Sequence, residues 1–310
     1  MASKFGLSDR VRLVAALAVV YLVWGSTYVA IKVAIAAIPP LLMSGVRFLI
    51  AGALLYAWCA LQRRRHPQRG WTPPTPRQWR SGIIIGLLLP AAGTGVVSWA
   101  EQYISSGLAA LLLATIPIWI VVGAAVFDRE RITTPVVIGL ATGVAGVVVL
   151  VDPFDGAVPA LIPMLATLAG ALSWGLGSIY SRHATQPAQP LLGSAIQMIA
   201  AGLVLVLIGS VSGELSRVDL AEITASSWIA VAYLIVFGSL LAYSAYTWLL
   251  AHASSRLVGT YAFVNPLVAV ALGWAILGET LTAQTVVAAA LVITAVAILV
   301  LQPPPSRRPA

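Results

Sequence analysis

Long, unbroken runs of apolar residues alternate along this chain with short polar, charged or proline-containing stretches. Ten such runs can be bracketed, at roughly 13–33, 41–61, 80–99, 106–127, 134–151, 160–180, 190–211, 228–250, 257–277 and 283–301. A helix needs about 20 apolar residues to cross a bilayer. The runs are continuous and do not alternate over ten-residue segments, so they predict helices and exclude a transmembrane β-barrel. The first run, 13–31, follows Lys4, Arg10 and Arg12 as a signal peptide would, and Ala34-Ile35-Ala36 resembles a cleavage site. It is longer than the about 7–15 residues of a signal core, so it reads as a retained first membrane helix.

Composition sharpens this reading. Hydrophobic residues make up 60% of the 310 positions and charged residues 9%, against about 25% charged in a soluble domain. So few charges cannot cover a soluble fold of this size, and so much apolar surface excludes disorder. The expected fold is therefore an all-α membrane protein of ten transmembrane helices.

Where the charges sit supplies an orientation. With the N-terminus inside, the cytoplasmic segments hold fifteen of the 18 Lys and Arg, and the opposite side holds only Lys32 and Arg217. Arg47 lies within the second run. This bias places both termini in the cytoplasm. It also accounts for the net charge of +8 without nucleic acid as a partner. The outer loops carry Asp152, Asp155, Glu214, Asp219 and Glu222, and the proline-rich tail 303–310 is expected to be disordered.

An internal repeat divides the chain. At a shift of 150, Trp24-Gly25 meets Trp174-Gly175, Pro40-Leu41-Leu42 meets Pro190-Leu191-Leu192, and Ala51-Gly52 meets Ala201-Gly202. At a shift of 149, Trp99 meets Trp248, Pro117 meets Pro266, Glu130 meets Glu279 and Thr133 meets Thr282. The expected units are a first repeat at 1–151 and a second at 152–302. Each holds five helices, an odd number, so the two halves enter the membrane from opposite sides. Inverted repeats of this kind enclose a midplane site in secondary transporters.

Several stretches carry a family resemblance. Tyr21-Leu22-Val23-Trp24-Gly25-Ser26-Thr27-Tyr28, followed by Pro39-Pro40 and Arg47-Phe48, resembles the opening of an EamA domain. So do Ile116-Pro117-Ile118-Trp119, and Asn265-Pro266-Leu267 leading to Leu277-Gly278-Glu279-Thr280-Leu281. The chain is similar over nearly its whole length to ten-helix exporters of the drug/metabolite transporter superfamily. In layout it resembles the YddG-type aromatic amino-acid exporters. The resemblance implies export of small metabolites from the inner (plasma) membrane of a bacterium. One departure is Phe127-Asp128-Arg129-Glu130, where the family usually has Gly-Glu, so the first-half turn is expected to differ.

The chemistry-bearing residues fit transport better than catalysis. No P-loop is present, so ATP is not expected as a partner. His66, His183 and His252 are scattered and Cys59 is alone, so neither a metal nor a cofactor is expected. None of the ten acids falls at mid-membrane, which argues against a carboxylate proton relay and for facilitated diffusion or coupling through some other group. Glu101 is the nearest candidate and reads as a solvated loop acid. Arg47, about two turns deep, is either a partner for a substrate carboxylate or a snorkelling or packing residue.

Polar and aromatic side chains at helical spacing form the candidate cavity. They are Trp24 and Tyr28; Thr94 and Ser98; Thr115 and Trp119; Trp174 and Ser178; Tyr243 and Tyr246; and Tyr261 and Asn265. Packing is the alternative role for the deep tryptophans. Pro90, Pro117 and Pro266 are expected to kink mid-helix, with Pro117 and Pro266 as paired hinges. An amphipathic cavity of this kind suits neutral and aromatic amino acids as small-molecule substrates, carried by alternating access amid membrane lipid. The alternatives are an exporter of hydrophobic or cationic drugs or nucleoside-like metabolites, an integral membrane enzyme, and a channel or scaffold.

Overall fold

The computed structural model describes residues 7–66, 72–104, 106–151, 161–277 and 282–301. The loop acids Asp152 and Asp155, the Gly278-Glu279 turn and the tail 303–310 lie outside the described residues. The helices are α1 (Leu7–Ile35), α2 (Pro40–Arg65), α3 (Pro76–Gly86), α4 (Val96–Ala100), α5 (Ser106–Leu113), α6 (Ile116–Phe127) and α7 (Thr134–Val151). They continue as α8 (Leu161–His183), α9 (Pro190–Val211), α10 (Ala225–Tyr233), α11 (Ser244–His252), α12 (Ser255–Gly259), α13 (Tyr261–Leu277) and α14 (Ala283–Leu301). Among the described residues, eight helical stretches are long and apolar enough to cross a membrane, and Thr134–Val149 is a shorter apolar one. Leu54, Leu207 and Ile293 stand exposed on the outside of the bundle. That is the surface expected of a protein whose solvent there is lipid.

Local chemistry sets where helices begin. Pro40 and Pro190, repeat partners, each sit at the first position of their helix, where the missing N–H costs no hydrogen bond. Thr75 caps α3 with a reciprocal Gln78 contact, and Thr224 caps α10.

The repeat is visible in the packing. α2 lies most extensively against its counterpart α9, and α7 against its counterpart α14. The α2–α9 crossing is close because glycines line it. A Cβ at Gly52 would stand 2.8 Å from the Ile199 nitrogen, and one at Gly202 would stand 2.7 Å from the Leu49 nitrogen. The Gly82-x-x-x-Gly86 pair packs on α9 and Gly139-x-x-x-Gly143 on Leu299 and Phe263, so both serve the bundle interior.

The helical interruptions differ from those expected. Pro90 lies inside a π-helical stretch, Leu87–Gly95, joining α3 to α4. A second π-helical stretch, Leu234–Tyr243, joins α10 to α11 with no proline. The second half thus carries a matching widening that no proline announced. Pro117 sits in the first turn of α6, and the span Leu108–Phe127 breaks just before it, at Ala114 and Thr115, where its ring and missing N–H act. Pro266 lies within α13, which follows a break at Thr260. Both breaks are closed alike. The Thr115 hydroxyl donates to the Leu112 carbonyl at 2.7 Å, and the Thr260 hydroxyl to the Leu257 carbonyl at 2.6 Å. At the turn after α6, Arg129 adopts φ 54°, a left-handed conformation that suits glycine.

Candidate functional site

The repeat tryptophans meet in the middle of the bundle. Trp24 and Trp174 stand edge to face with ring centroids 5.4 Å apart. Each is held by the other half's π-helical stretch. The Trp24 indole N–H donates to the Gly238 carbonyl at 3.2 Å, while Gly93 lies so close to the Trp174 ring that a Cβ would come within 2.4 Å. A π turn widens the helix and shifts its backbone hydrogen bonds, so a carbonyl such as that of Gly238 can take a side chain. Tyr246 closes one side of this cluster, 5.0 Å from Trp24 and 5.4 Å from Tyr261 between ring centroids.

The tryptophans form part of the wall of a small cavity of about 80 Å³, tighter than the about 300–1,000 Å³ of a site open to a drug-sized ligand. Eight of the expected residues line it: Trp24, Tyr28, Arg47, Thr94, Trp174, Tyr243, Tyr261 and Asn265. Thr27, Phe48, Gly93 and Gly238 line it too and were not anticipated. Thr27 and Phe48 sit beside recognised positions, and the glycines carry no side chain that would mark them.

Five expected residues stand off the wall. Ser98 accepts from Ser44 and donates to the Thr94 carbonyl, both at 3.0 Å. Thr115 is occupied at its helix break. Ser178 donates to the Trp174 carbonyl at 2.6 Å and bonds the Tyr246 hydroxyl at 2.7 Å, so both support Trp174 from behind. Trp119 packs under Gly175. Helical spacing put these side chains on the right helices, but local carbonyls and neighbouring rings took them out of the cavity.

Arg47 is the one charged residue on the cavity wall among the described residues. It is 3% exposed. Its Nε donates to Ser239 at 2.8 Å, and its guanidinium carbon lies 4.8 Å from the Phe48 ring centroid. Its Nη1 is buried with no hydrogen-bond partner. Its repeat counterpart Gln197 serves structure instead, accepting from the Tyr243 hydroxyl at 2.8 Å and donating to Gln186 at 3.1 Å. Asn265, with its amide turned to donate, reaches the carbonyls of Tyr261 at 3.0 Å and Tyr21 at 3.3 Å.

The profile of the EamA-like transporter family matches residues 12–152 and again 161–301. The chain belongs to that family. It is similar to the uncharacterized inner membrane transporter YedA of Escherichia coli K12, with 38% identity over 92% of this chain and 90% of that one. It is also similar to a probable amino-acid metabolite efflux pump of the same strain, with 29% identity over 89% of this chain and 90% of the pump. A solved crystal structure shares the fold, with a TM-score of 0.72 at 22% identity, covering 94% of this chain and 96% of the other. This EamA chain is thus a membrane transporter with two family-type repeats.

Outside the cavity the structure overturns one expectation. Glu101 is not a solvated loop acid: it is 0% exposed, directly after α4.

Proposed function

We propose that this chain exports neutral, chiefly aromatic amino acids or close metabolites by alternating access. Ten spans form two inverted repeats, 1–151 and 152–302, with both termini in the cytoplasm and the chain in the inner membrane. It is a carrier, not an enzyme. The single observation that carries the substrate class is the unpartnered Nη1 of Arg47 on an otherwise uncharged wall rich in aromatic rings. A buried cation without a counter-ion costs several kcal/mol. A substrate carboxylate supplies the missing partner, and the tryptophan and tyrosine faces receive an apolar side chain. The names of the inner membrane transporter and the amino-acid metabolite pump support the compartment and the substrate class.

The first test is counterflow in proteoliposomes loaded with unlabelled phenylalanine or tryptophan. The wild type is expected to take up the labelled amino acid and to ignore phenylalaninol, which lacks the carboxylate. R47Q removes charge-assisted hydrogen bonds worth about 1.5–3 kcal/mol. Its counterflow is expected to fall roughly tenfold to a hundredfold. R47K keeps the charge and serves as the folded control, with a smaller loss. No uptake of any amino acid by folded protein, together with uptake of a quaternary ammonium dye, overturns the assignment in favour of a drug exporter.

A further inference from the structure

Glu101 has a position that amino-acid binding does not use. It lies one residue past the third span, Pro76–Ala100. Both of its carboxyl oxygens are buried without a hydrogen-bond partner. Its neighbours line two spaces: Tyr28, which interacts with it electrostatically, is on the wall of the central cavity, and Lys32 and Gln102 line a polar basin. Lys32 reaches Glu101 but donates to its backbone carbonyl, at 2.8 Å, and leaves the carboxyl bare.

An ionised carboxylate so placed would leave two anionic oxygens desolvated and unpaired, which costs several kcal/mol. A neutral carboxyl does not carry that penalty. The groups facing it are few. Lys32 and Tyr28 on α1 interact with it electrostatically. α2 approaches this end of α4 through Ser44, while its Arg47 is held on Ser239. Arg217, Asp219 and Glu222 stand on the basin wall. Burial pushes the carboxyl up to about 8, against the pull of Lys32. The group therefore holds its proton at neutral pH and gives it up only when water or a cation reaches it.

We propose that Glu101 is a proton-binding site that couples substrate export to proton entry. With the outer side open, one carboxylate oxygen takes a proton from the basin and the O–H bond forms. The neutral side chain is then buried as that side closes. When the inner side opens, the O–H bond breaks and the proton leaves through the central cavity to the cytoplasm. One proton enters for each substrate that exits, and the Lys32 ammonium balances the carboxylate left behind. Tyr28, on the cavity wall and in electrostatic reach of the carboxyl, is the link between Glu101 and that exit. This inference rests on the chain being a carrier.

Two measurements test it separately. Infrared spectra of the purified full chain in nanodiscs at about pH 6.5, where a solvated Glu is ionised, are expected to show a protonated-carboxyl band that E101Q lacks. Spectra identical for wild type and E101Q overturn the proton site, whatever is transported. In proteoliposomes whose lumen is one pH unit more acidic than outside, labelled phenylalanine is expected to accumulate up to about tenfold at one proton per substrate. E101Q is expected to bring the ratio of gradient-driven to gradient-free uptake to one, and E101D to restore part of it. Accumulation by E101Q equal to wild type, or wild-type uptake indifferent to the gradient, overturns the coupling. If no amino acid is taken up, the carrier reading fails, and the infrared comparison still decides the proton site.

Discussion

At the scale of the residue, close backbone approach decides more than side-chain chemistry. Gly86 shows the balance. Alanine is favoured over glycine by about 1 kcal/mol in a helix interior. A Cβ at this position would, however, stand 2.3 Å from the Gln197 carbonyl oxygen. That neighbour is backbone and cannot swing aside, so G86A must push α3 away from α9. Overpacking of this kind costs about 1–3 kcal/mol, so the clash outweighs the propensity. G86A is expected to melt below wild type in detergent, as read by a thermal-shift assay; a higher melting temperature would show that this crossing is loose. Residue identity also marks how far the site was readable. Trp24 and Trp174 were legible because the repeat aligns them, and Arg47 because a charge inside an apolar run stands out. Glu101 was misread because its place at a helix end suggests water, whereas α4 packs against α8, α2 and α1, and Lys32 reaches over its backbone. No local pattern in Ala100-Glu101-Gln102 encodes that.

At the scale of the element, the two π-helical stretches shape the cavity. Only the first contains a proline, so the widening does not depend on proline alone. The second contains Gly238, whose carbonyl holds Trp24 and whose missing Cβ leaves room for the Arg47 guanidinium, 2.8 Å from where a Cβ would sit. The helices were readable from unbroken apolar runs and from caps such as Thr75. The π turns were not, because they arise where the halves press on each other's glycines and carbonyls. This separates two substitutions in one stretch. P90A leaves the packing against Trp174 in place, and phenylalanine counterflow is expected to stay within about threefold of wild type, under 1 kcal/mol. G93A drives a methyl against the Trp174 ring, and a loss of about tenfold or more is expected, equivalent to the lower end of overpacking. Equal losses in the two variants would instead make the proline itself the hinge.

At the scale of the whole molecule, the packing of counterpart on counterpart ties the fold to its orientation. α2 lies on α9, α7 on α14, and Trp24 on Trp174, so a pseudo-twofold axis runs through the bundle between equivalent elements. If each half crosses the membrane five times, that axis must lie in the membrane plane and the halves must be inverted. The distribution of Lys and Arg favours the proposed arrangement, which would put Arg182, between α8 and α9, and Arg256, between α11 and α13, on one side with Arg129, Arg131 and the N-terminus. The two halves reach that side through different parts of their repeats, which a parallel duplication would not produce. Reporter fusions test it directly. Alkaline phosphatase joined after residue 220 is expected to be active, since it would lie outside. Joined after residue 186 it is expected to be inactive, and a fluorescent protein at the C-terminus is expected to fold and fluoresce in the cytoplasm. Activity at both 186 and 220 would remove the α9 span from between them, and with it the odd count per half on which inversion, the shared central cavity and alternating access all depend.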